Sequence, residues 1–506
     1  MQTAETVTLL KVEYERLQHQ LAQKEFQLAQ LQRLLFGRKS ERFVPAQTID
    51  LQQLMLDFGG EQVAVELEQT VGQLVAAHER KHPAEAKKNE HKGRMPIPEH
   101  LERREEIIEP DEDVSDMIYI GEDVTEILEL DLGKIWVRRI VRPRYARREE
   151  NTAEGQSPIV QAPAKVMPLG RSKAGVSLVA NIILSKYVEH TPLHRLIQRF
   201  ARSGLQIPPA TMGQWTKNGI DLLLLLYQLY EKLIFGASYL QMDETTLKVL
   251  EDGKGKCHLG YLWVAFDPVN KLPFFSYHMG RDHKKPKKLL ERFAGILQCD
   301  GYAVYETVGK QRPDIRLVNC MAHIRREFFE AKSNDDKRAT FALSVIKLLY
   351  QVEENAKNLQ LSADQRLELR LKESKPIFDA LGKWLQTNYN LVTPASPIGK
   401  AIAYALHRWE NMKVFLTDGR IEIDNNLVEN AIRPAAIGRK NYLFAGSHES
   451  AQRTAMIYTF FSACKQYQID PEIWLNDVLN RIQDCKISEL GLLLPQFWKP
   501  KEKEIE

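Results

Sequence analysis

Tyr239-Leu-Gln-Met-Asp243 and Ile296-Leu-Gln-Cys-Asp300-Gly301 are the stretches on which the fold turns. Each is a short apolar run closed by an aspartate, as expected of a buried strand ending at an open edge. Further β-rich runs lie at 260–266, 273–279 and 315–320, and a helix-like stretch occupies 284–293. Three strands, a helix and then more strand predict an α/β core with a mixed sheet. A strand end suits a metal-binding carboxylate, because the sheet fixes its position while the loop side stays open to substrate.

A third acid stands in Asp424-Asn-Asn-Leu-Val-Glu429-Asn-Ala-Ile-Arg433-Pro434. Asp424 or an asparagine is expected to cap a helix here and Pro434 to end it. That would place Glu429 near mid-helix, with Arg433 one turn on along the same face. Hard oxygen ligands of this kind suit Mg²⁺ or Mn²⁺. Two such ions roughly 4 Å apart would serve an in-line phosphoryl displacement, activating the attacking oxygen and stabilising the leaving one. Three acids chosen from 67 do not by themselves make a site.

Outward from this core the chain changes character several times. Residues 325–416 are mostly helical and read as an insertion, and helix returns from Asn425. Upstream, 192–202 and 211–230 are helix-like, separated by Ser203-Gly204 and Pro208-Pro209, with Arg195, Arg199, Arg202 and Lys217 nearby. Two helices about a short turn match a helix-turn-helix in outline, a weak signal since many helical hairpins carry basic residues.

Residues 1–36 form heptads. The a positions are Val7, Tyr14, Leu21, Leu28 and Leu35, and the d positions are Leu10, Leu17, Lys24 and Leu31. An amphipathic helix packed on its own protein would fit. The polar remaining faces and the polar stretch that follows favour a self-associating coiled coil, weakened at Lys24. Residues 37–96 mix short helical patches with a Lys-rich linker at 79–94.

With 506 residues, 43% hydrophobic and 27% charged, the chain reads as a soluble globular protein of two to four domains. The longest solid apolar run, 222–226, is far short of the roughly 18 to 20 residues of a membrane span. The charged N-terminus predicts no secretory signal, and five scattered cysteines predict no disulfide framework, so a reducing cytoplasm fits best. The net charge of +3 conceals structure. Residues 97–131 hold fourteen acidic side chains against two basic ones, and 134–148 hold seven basic and no acidic. An acidic strand paired with a basic one explains this as well as a DNA-facing surface does, and an acidic shield over the basic strand is a further conjecture.

The run from Asp424 through Glu429, Arg433-Pro434 and Gly438-Arg439-Lys440 to Phe444-Ala-Gly-Ser447 resembles the C-terminal signature of insertion sequence 66 family transposases. The resemblance covers nearly the whole chain. It includes Leu35-Phe-Gly-Arg-Lys-Ser-Glu41, Ile120-Gly-Glu-Asp-Val-Thr-Glu126, Val160-Gln-Ala-Pro163, Leu297-Gln-Cys-Asp-Gly-Tyr302 and Cys320-Met-Ala-His323. It implies an Asp-Asp-Glu recombinase with a ribonuclease H-like fold, in which Asp243, Asp300 and Glu429 are the catalytic and metal-binding residues. It also implies nicking at the ends of a mobile element, then attack of the freed 3′-hydroxyl on target DNA. Two Mg²⁺ or Mn²⁺ ions would serve both steps, and no covalent protein–DNA intermediate is needed.

The family's small zinc module carries two Cys pairs, and no cysteine precedes Cys257 here, so the module is expected as a fold without structural zinc. The implied partners are double-stranded DNA (terminal repeats and target), a second copy through the coiled coil, and accessory proteins of the same element. The implied location is a bacterial cytoplasm, at the nucleoid.

The organisation that follows is a multidomain α/β chain. It comprises a coiled coil (1–36), a helical linker (37–96), a degenerate zinc-module-like β domain (97–165), a helix-turn-helix-like region (166–235), a ribonuclease H-like catalytic domain (236–445) and a helical tail (446–506). Arg281, Lys284 and Lys285 belong to a basic cluster beside the catalytic sheet, where a solvated helix start and DNA contact are both open. Arg439 and Lys440 are expected at the DNA backbone. Arg433 is expected either there or ion-paired to Glu429. Cys320 is expected as a buried strand-end residue with His323 opening the next helix, a phosphate contact by His323 remaining open. A non-catalytic DNA-end-binding regulator and a structure-specific nuclease are the alternatives; three intact acids argue against the regulator.

Overall fold

The computed structural model describes residues 97–500, except 132–133, 147–158, 165–166, 171, 252–254 and 282–283. The heptad segment and the 37–96 linker lie outside the described residues.

A four-stranded sheet opens the described chain: β1 (Arg103–Ile107), β2 (Ile118–Asp131), β3 (Lys134–Ala146) and β4 (Ile159–Gln161). β2 runs antiparallel along one edge of β3, while β1 (parallel) and β4 (antiparallel) share the other. The register sets Glu126 across from Arg139 and Asp123 across from Arg142. The acidic and basic blocks therefore pair with each other. Arg138 meets Glu129 at 3.1 Å, with further pairs between Arg139 and Glu105 and between Arg144 and Asp123, while within the acidic stretch Arg103 meets Glu126 at 2.8 Å.

Four helices follow: α1 (Val176–Tyr187), α2 (Leu193–Arg202), α3 (Pro209–Asp221) and α4 (Leu224–Ile234). α1 is buried on most sides and threads the main core. The expected single helix over 211–230 is broken at Leu222-Leu223, where backbone N–H groups of the last turn reach Asn218 and Ile220. Asn218, Gly219 and Asp221 are weak helix formers, and the break lets Leu223, Leu226 and Tyr230 all turn into the core.

The second sheet has the order β7-β6-β5-β8-β9, with β5 (Tyr239–Leu250), β6 (Cys257–Asp267), β7 (Leu272–His278), β8 (Gly295–Cys299) and β9 (Ile315–Asn319). β5, β6 and β7 form an antiparallel meander, and β8 and β9 add in parallel. Leu262 to Phe266 are all buried, because helices cover both faces of the sheet and leave no polar alternation. Helix α5 (Lys284–Leu289) precedes β8, and α6 (Ala303–Gln311) links β8 to β9.

The insertion is helical as expected and has its own core. It contains α7 (Met321–Glu330), α8 (Asp336–Asn358), α9 (Ala363–Leu369), α10 (Lys375–Tyr389), α11 (Pro397–His407) and α12 (Trp409–Lys413). Helices α13 (Asn426–Tyr442), α14 (His448–Gln466) and α15 (Pro471–Arg481) return to the main core. Among the described residues no helix is long and apolar enough to cross a membrane.

Candidate active site

The first two carboxylates owe their placement to strand register. β5 and β8 pair in parallel up to Met242 opposite Cys299, so Asp243 and Asp300 are the next residue on each strand. Asp243 does not end its strand. β5 continues against β6 to Leu250, and its other edge is taken up again when Ala445 bridges Val249. Between the end of β8 and Ala445 that edge is open, and Asp243, Glu244, Thr245 and Thr246 occupy it. The polar residues that suggested a strand end are the half-buried lip of a longer strand.

The third carboxylate arrives on a helix gripped by both strands. Gln241, two residues before Asp243, accepts from Val428 N–H at 3.2 Å and donates to the Asp424 carbonyl at 2.9 Å. Gln298, two residues before Asp300, donates to the Glu422 carbonyl at 2.8 Å and accepts from Gln241 at 2.9 Å. Both glutamines are fully buried. The repeated Leu-Gln-x-Asp in the two strands was the sequence signal for this grip, since a buried amide needs its partners satisfied. Cys320 assists: it is buried at the end of β9, and its Sγ accepts from Asn425 N–H at 3.3 Å.

Two expectations about this helix are corrected. Pro434 lies inside α13, which runs on to Tyr442, and Glu429 is in the first turn rather than mid-helix. Burial of Val428, Ala431, Ile432, Ala435 and Gly438 on either side of the proline holds the helix together against a cost of about 3 kcal/mol. The helix stops at Leu443, which adopts a left-handed φ of 64°.

The carboxylates feel one another. Burial holds the Asp243 carboxyl well above the usual carboxylate range, and the charges of Glu244, Glu429 and Asp300 add to the effect. Burial, with Asp424 and Asp300, pushes Glu429 up to about 7 against the opposing charges of Arg326 and Arg433. Each aspartate is also fixed by a nearby backbone N–H: Glu244 N–H donates to Asp243 Oδ1 at 2.8 Å, and Tyr302 N–H to Asp300 Oδ1 at 3.0 Å.

Among the described residues, no three His, Cys, Asp or Glu side chains converge as a finished metal cage. What fits a divalent cation is the donor set: hard carboxylate oxygens from two adjacent strands and a facing helix, with Asp243 and Glu429 held back from ionisation by burial and neighbouring acids.

Other candidate residues fall in different places. Arg281 pairs with Glu244 and lies over Tyr302. Lys284 and Lys285 begin α5. Arg433 is half-buried on α13 and its charge favours ionised Glu429, while Lys440 is exposed on the last turn. Arg439, expected at the DNA backbone, turns inward. Its Nη1 donates to Thr245 Oγ1 at 2.8 Å and to Thr246 O and Oγ1 at 2.7 Å, pinning α13 to the lip of β5. His323 lies in the first turn of α7 with a buried, unpartnered Nδ1, and burial, with the Arg326 charge, lowers its pKa to about 4. Glu244 went unnoticed in the sequence, where an acid beside Asp243 reads as solvated.

Comparison with known proteins points one way. A family profile described as "Transposase IS66 family" matches residues 171–453, and one described as "Transposase C of IS166 homeodomain" matches 23–105. Protein y4hP of Sinorhizobium fredii is 32% identical, over 94% of this chain and 88% of its own length. From the same organism, y4qI is 34% identical over 93% and 88%, and y4jD is 32% identical over 94% of each.

Proposed function

Because the chain belongs to the IS66 family of transposases, we propose that it cuts DNA at the ends of a mobile element and joins the freed 3′-hydroxyl to target DNA. The observation that carries this reading is the register of β5 and β8, which sets Asp243 beside Asp300. The strand order β7-β6-β5-β8-β9, with a helix-borne Glu429 facing it, supports a ribonuclease H-like catalytic domain with a helical insertion.

In this reading Asp243, Asp300 and Glu429 are the catalytic residues and would hold two Mg²⁺ or Mn²⁺ ions. When bound, the ions would supply positive charge at both the attacking and the leaving oxygen. The chain does the rest. The N–H groups of Glu244 and Tyr302 hold the two aspartates in place before substrate arrives. Glu429 is poised near neutrality, so its carboxyl gives up its proton when positive charge approaches. Water is the first nucleophile and a DNA 3′-oxygen the second. Double-stranded DNA, both terminal repeats and target, is the partner, bound by a homo-oligomer joined through residues 1–36, with accessory proteins of the same element. The sheet of β1 to β4 is the family's small module without zinc, and the protein acts in the cytoplasm at the nucleoid.

The full chain, incubated with labelled end DNA, a plasmid target and Mg²⁺, tests this. Cut ends joined to plasmid support the transposase reading, cutting without joining favours a structure-specific nuclease, and binding without cutting favours a regulator. Asp300→Ala should slow cleavage roughly 100-fold or more, several kcal/mol of lost transition-state stabilisation, with end-binding retained within a few-fold. Binding lost together with cleavage would mean that Asp300 serves folding.

A further inference from the structure

We propose that Arg281 contacts a single DNA phosphate at the rim of the catalytic centre, and that Glu244 and Tyr302 are the positioning residues that present it. The inference rests on the reading of Asp243 and Asp300 as the catalytic pair.

Consecutive strand residues point to opposite faces, so Glu244 is turned away from Asp243, toward α6. Its side chain is only 3% exposed, and a carboxylate so buried requires a partner. Arg281 Nε donates to Glu244 Oε1 at 2.7 Å, Nη2 donates to the same oxygen, and Tyr305 Oη donates to Oε2 at 3.3 Å. The guanidinium lies 4.1 Å over the Tyr302 ring, and Tyr302 Oη donates to the Arg281 carbonyl at 2.7 Å.

Two residues therefore do double duty. Glu244 fixes Asp243 through its backbone and Arg281 through its side chain; Tyr302 fixes Asp300 through its backbone and Arg281 through its ring and hydroxyl. Asp243, Asp300 and Arg281 are thereby held in one frame. Both hydrogen bonds of the guanidinium go to one oxygen of Glu244, and 44% of the Arg281 side chain remains exposed. The fork keeps further N–H donors for an outside acceptor. A substrate that must lay a phosphodiester against Asp300 brings its neighbouring phosphates past this rim. A guanidinium stacked on an aromatic ring and anchored from behind is suited to one of them.

The test uses the full chain and a mixed-sequence 30-base-pair duplex in EDTA, since a phosphate contact carries no sequence preference. Each neutralised phosphate contributes about 0.9 to the slope of log affinity against log salt. Arg281→Ala should lower that slope by about 0.9. Arg281→Gln should do the same, because its neutral amide can still donate to Glu244 but neutralises no phosphate, and this variant decides the matter if the alanine form does not fold. Glu244→Gln frees the guanidinium without removing it. The salt slope should then persist, while kcat for Mg²⁺-dependent plasmid nicking falls about 10-fold at unchanged KM. An unchanged slope in Arg281→Ala or Arg281→Gln overturns the phosphate contact, and unchanged nicking in Glu244→Gln overturns the positioning role. If the wild type nicks nothing, the catalytic reading fails, and with it the positioning role; the slope still decides the phosphate contact.

Discussion

Glu429 carries a cost that function explains and stability does not. Its carboxyl is buried beside Asp424 and within reach of Asp300, which moves its pKa from the ordinary 4.5 up to about 7. A raised carboxyl pKa means that the folded chain favours the protonated form. The stability this contributes is complete below about pH 4.5 and is lost as pH rises through 7. In the metal-free protein the ionised group costs about 3 kcal/mol at pH 8. Glu429→Gln keeps the shape and cannot ionise. In the presence of a chelator it should melt a few degrees above the wild type at pH 8, with the difference vanishing near pH 4.5. A wild type no less stable at pH 8 than Glu429→Gln would show that solvent already relieves the charge.

At the scale of elements, the helical insertion does more than decorate the sheet. From the junction of α11 and α12, Arg408 donates to the Gly301 carbonyl at 2.8 Å, one residue past Asp300. Asn411 donates to Asn319 at 3.1 Å, and Asn319 reaches the Asp300 carbonyl at 3.3 Å. On the other side, Tyr350 of α8 donates to Asp424 at 2.9 Å, just ahead of the helix that carries Glu429. The insertion thus braces the second and third carboxylates against each other. The fit at Gly301 is close: a Cβ there would come within 2.1 Å of Arg408 Nε. Arg408→Ala should cost about 1–3 kcal/mol of stability and slow plasmid nicking at least 10-fold with DNA affinity unchanged. Nicking that follows only the stability loss, and recovers on cooling, would reduce the brace to ordinary packing.

The short strands and the two aspartates were legible in the sequence because apolar runs closed by a polar residue carry their own boundaries. The extension of β5, the continuation of α13 through Pro434 and the inward turn of Arg439 were not. Each depends on packing rather than local propensity: β6 for the strand, the buried face of the helix for the proline, and Thr245 and Thr246, nearly two hundred residues upstream, for the arginine. The grip by Gln241 and Gln298 was half legible. Its Leu-Gln-x-Asp repeat is plain in the chain, but the segment it holds lies more than a hundred residues downstream.

For the whole molecule, the net charge of +3 is a property of pairing. The acidic residues of 97–131 supply β1 and β2, and the basic residues that follow supply β3 between them. Removing the acidic stretch would therefore dismantle the sheet and could not test whether acids screen β3 from DNA. Neutralising single side chains can. Glu105, Asp123 and Glu126 pair with Arg139, Arg142, Arg144 and Arg103, and Glu105, Asp123 and Glu126 are all at least partly exposed. Exposed pairs are worth at most about 1 kcal/mol each, so Glu105→Gln, Asp123→Asn and Glu126→Gln together should leave the sheet folded at a loss of about 1–3 kcal/mol. The same change takes the acidic partner from Arg103, Arg142 and Arg144 and leaves Arg139 only Glu122, at 3.7 Å. Non-specific duplex affinity at low salt should then rise, and its dependence on salt should steepen by about 0.9 for each arginine that gains a phosphate. Binding titrations from 50 to 300 mM salt check this. A triple variant whose slope matches the wild type would mean that the pairing serves the sheet alone, leaving DNA to the basic residues around Asp243 and Asp300.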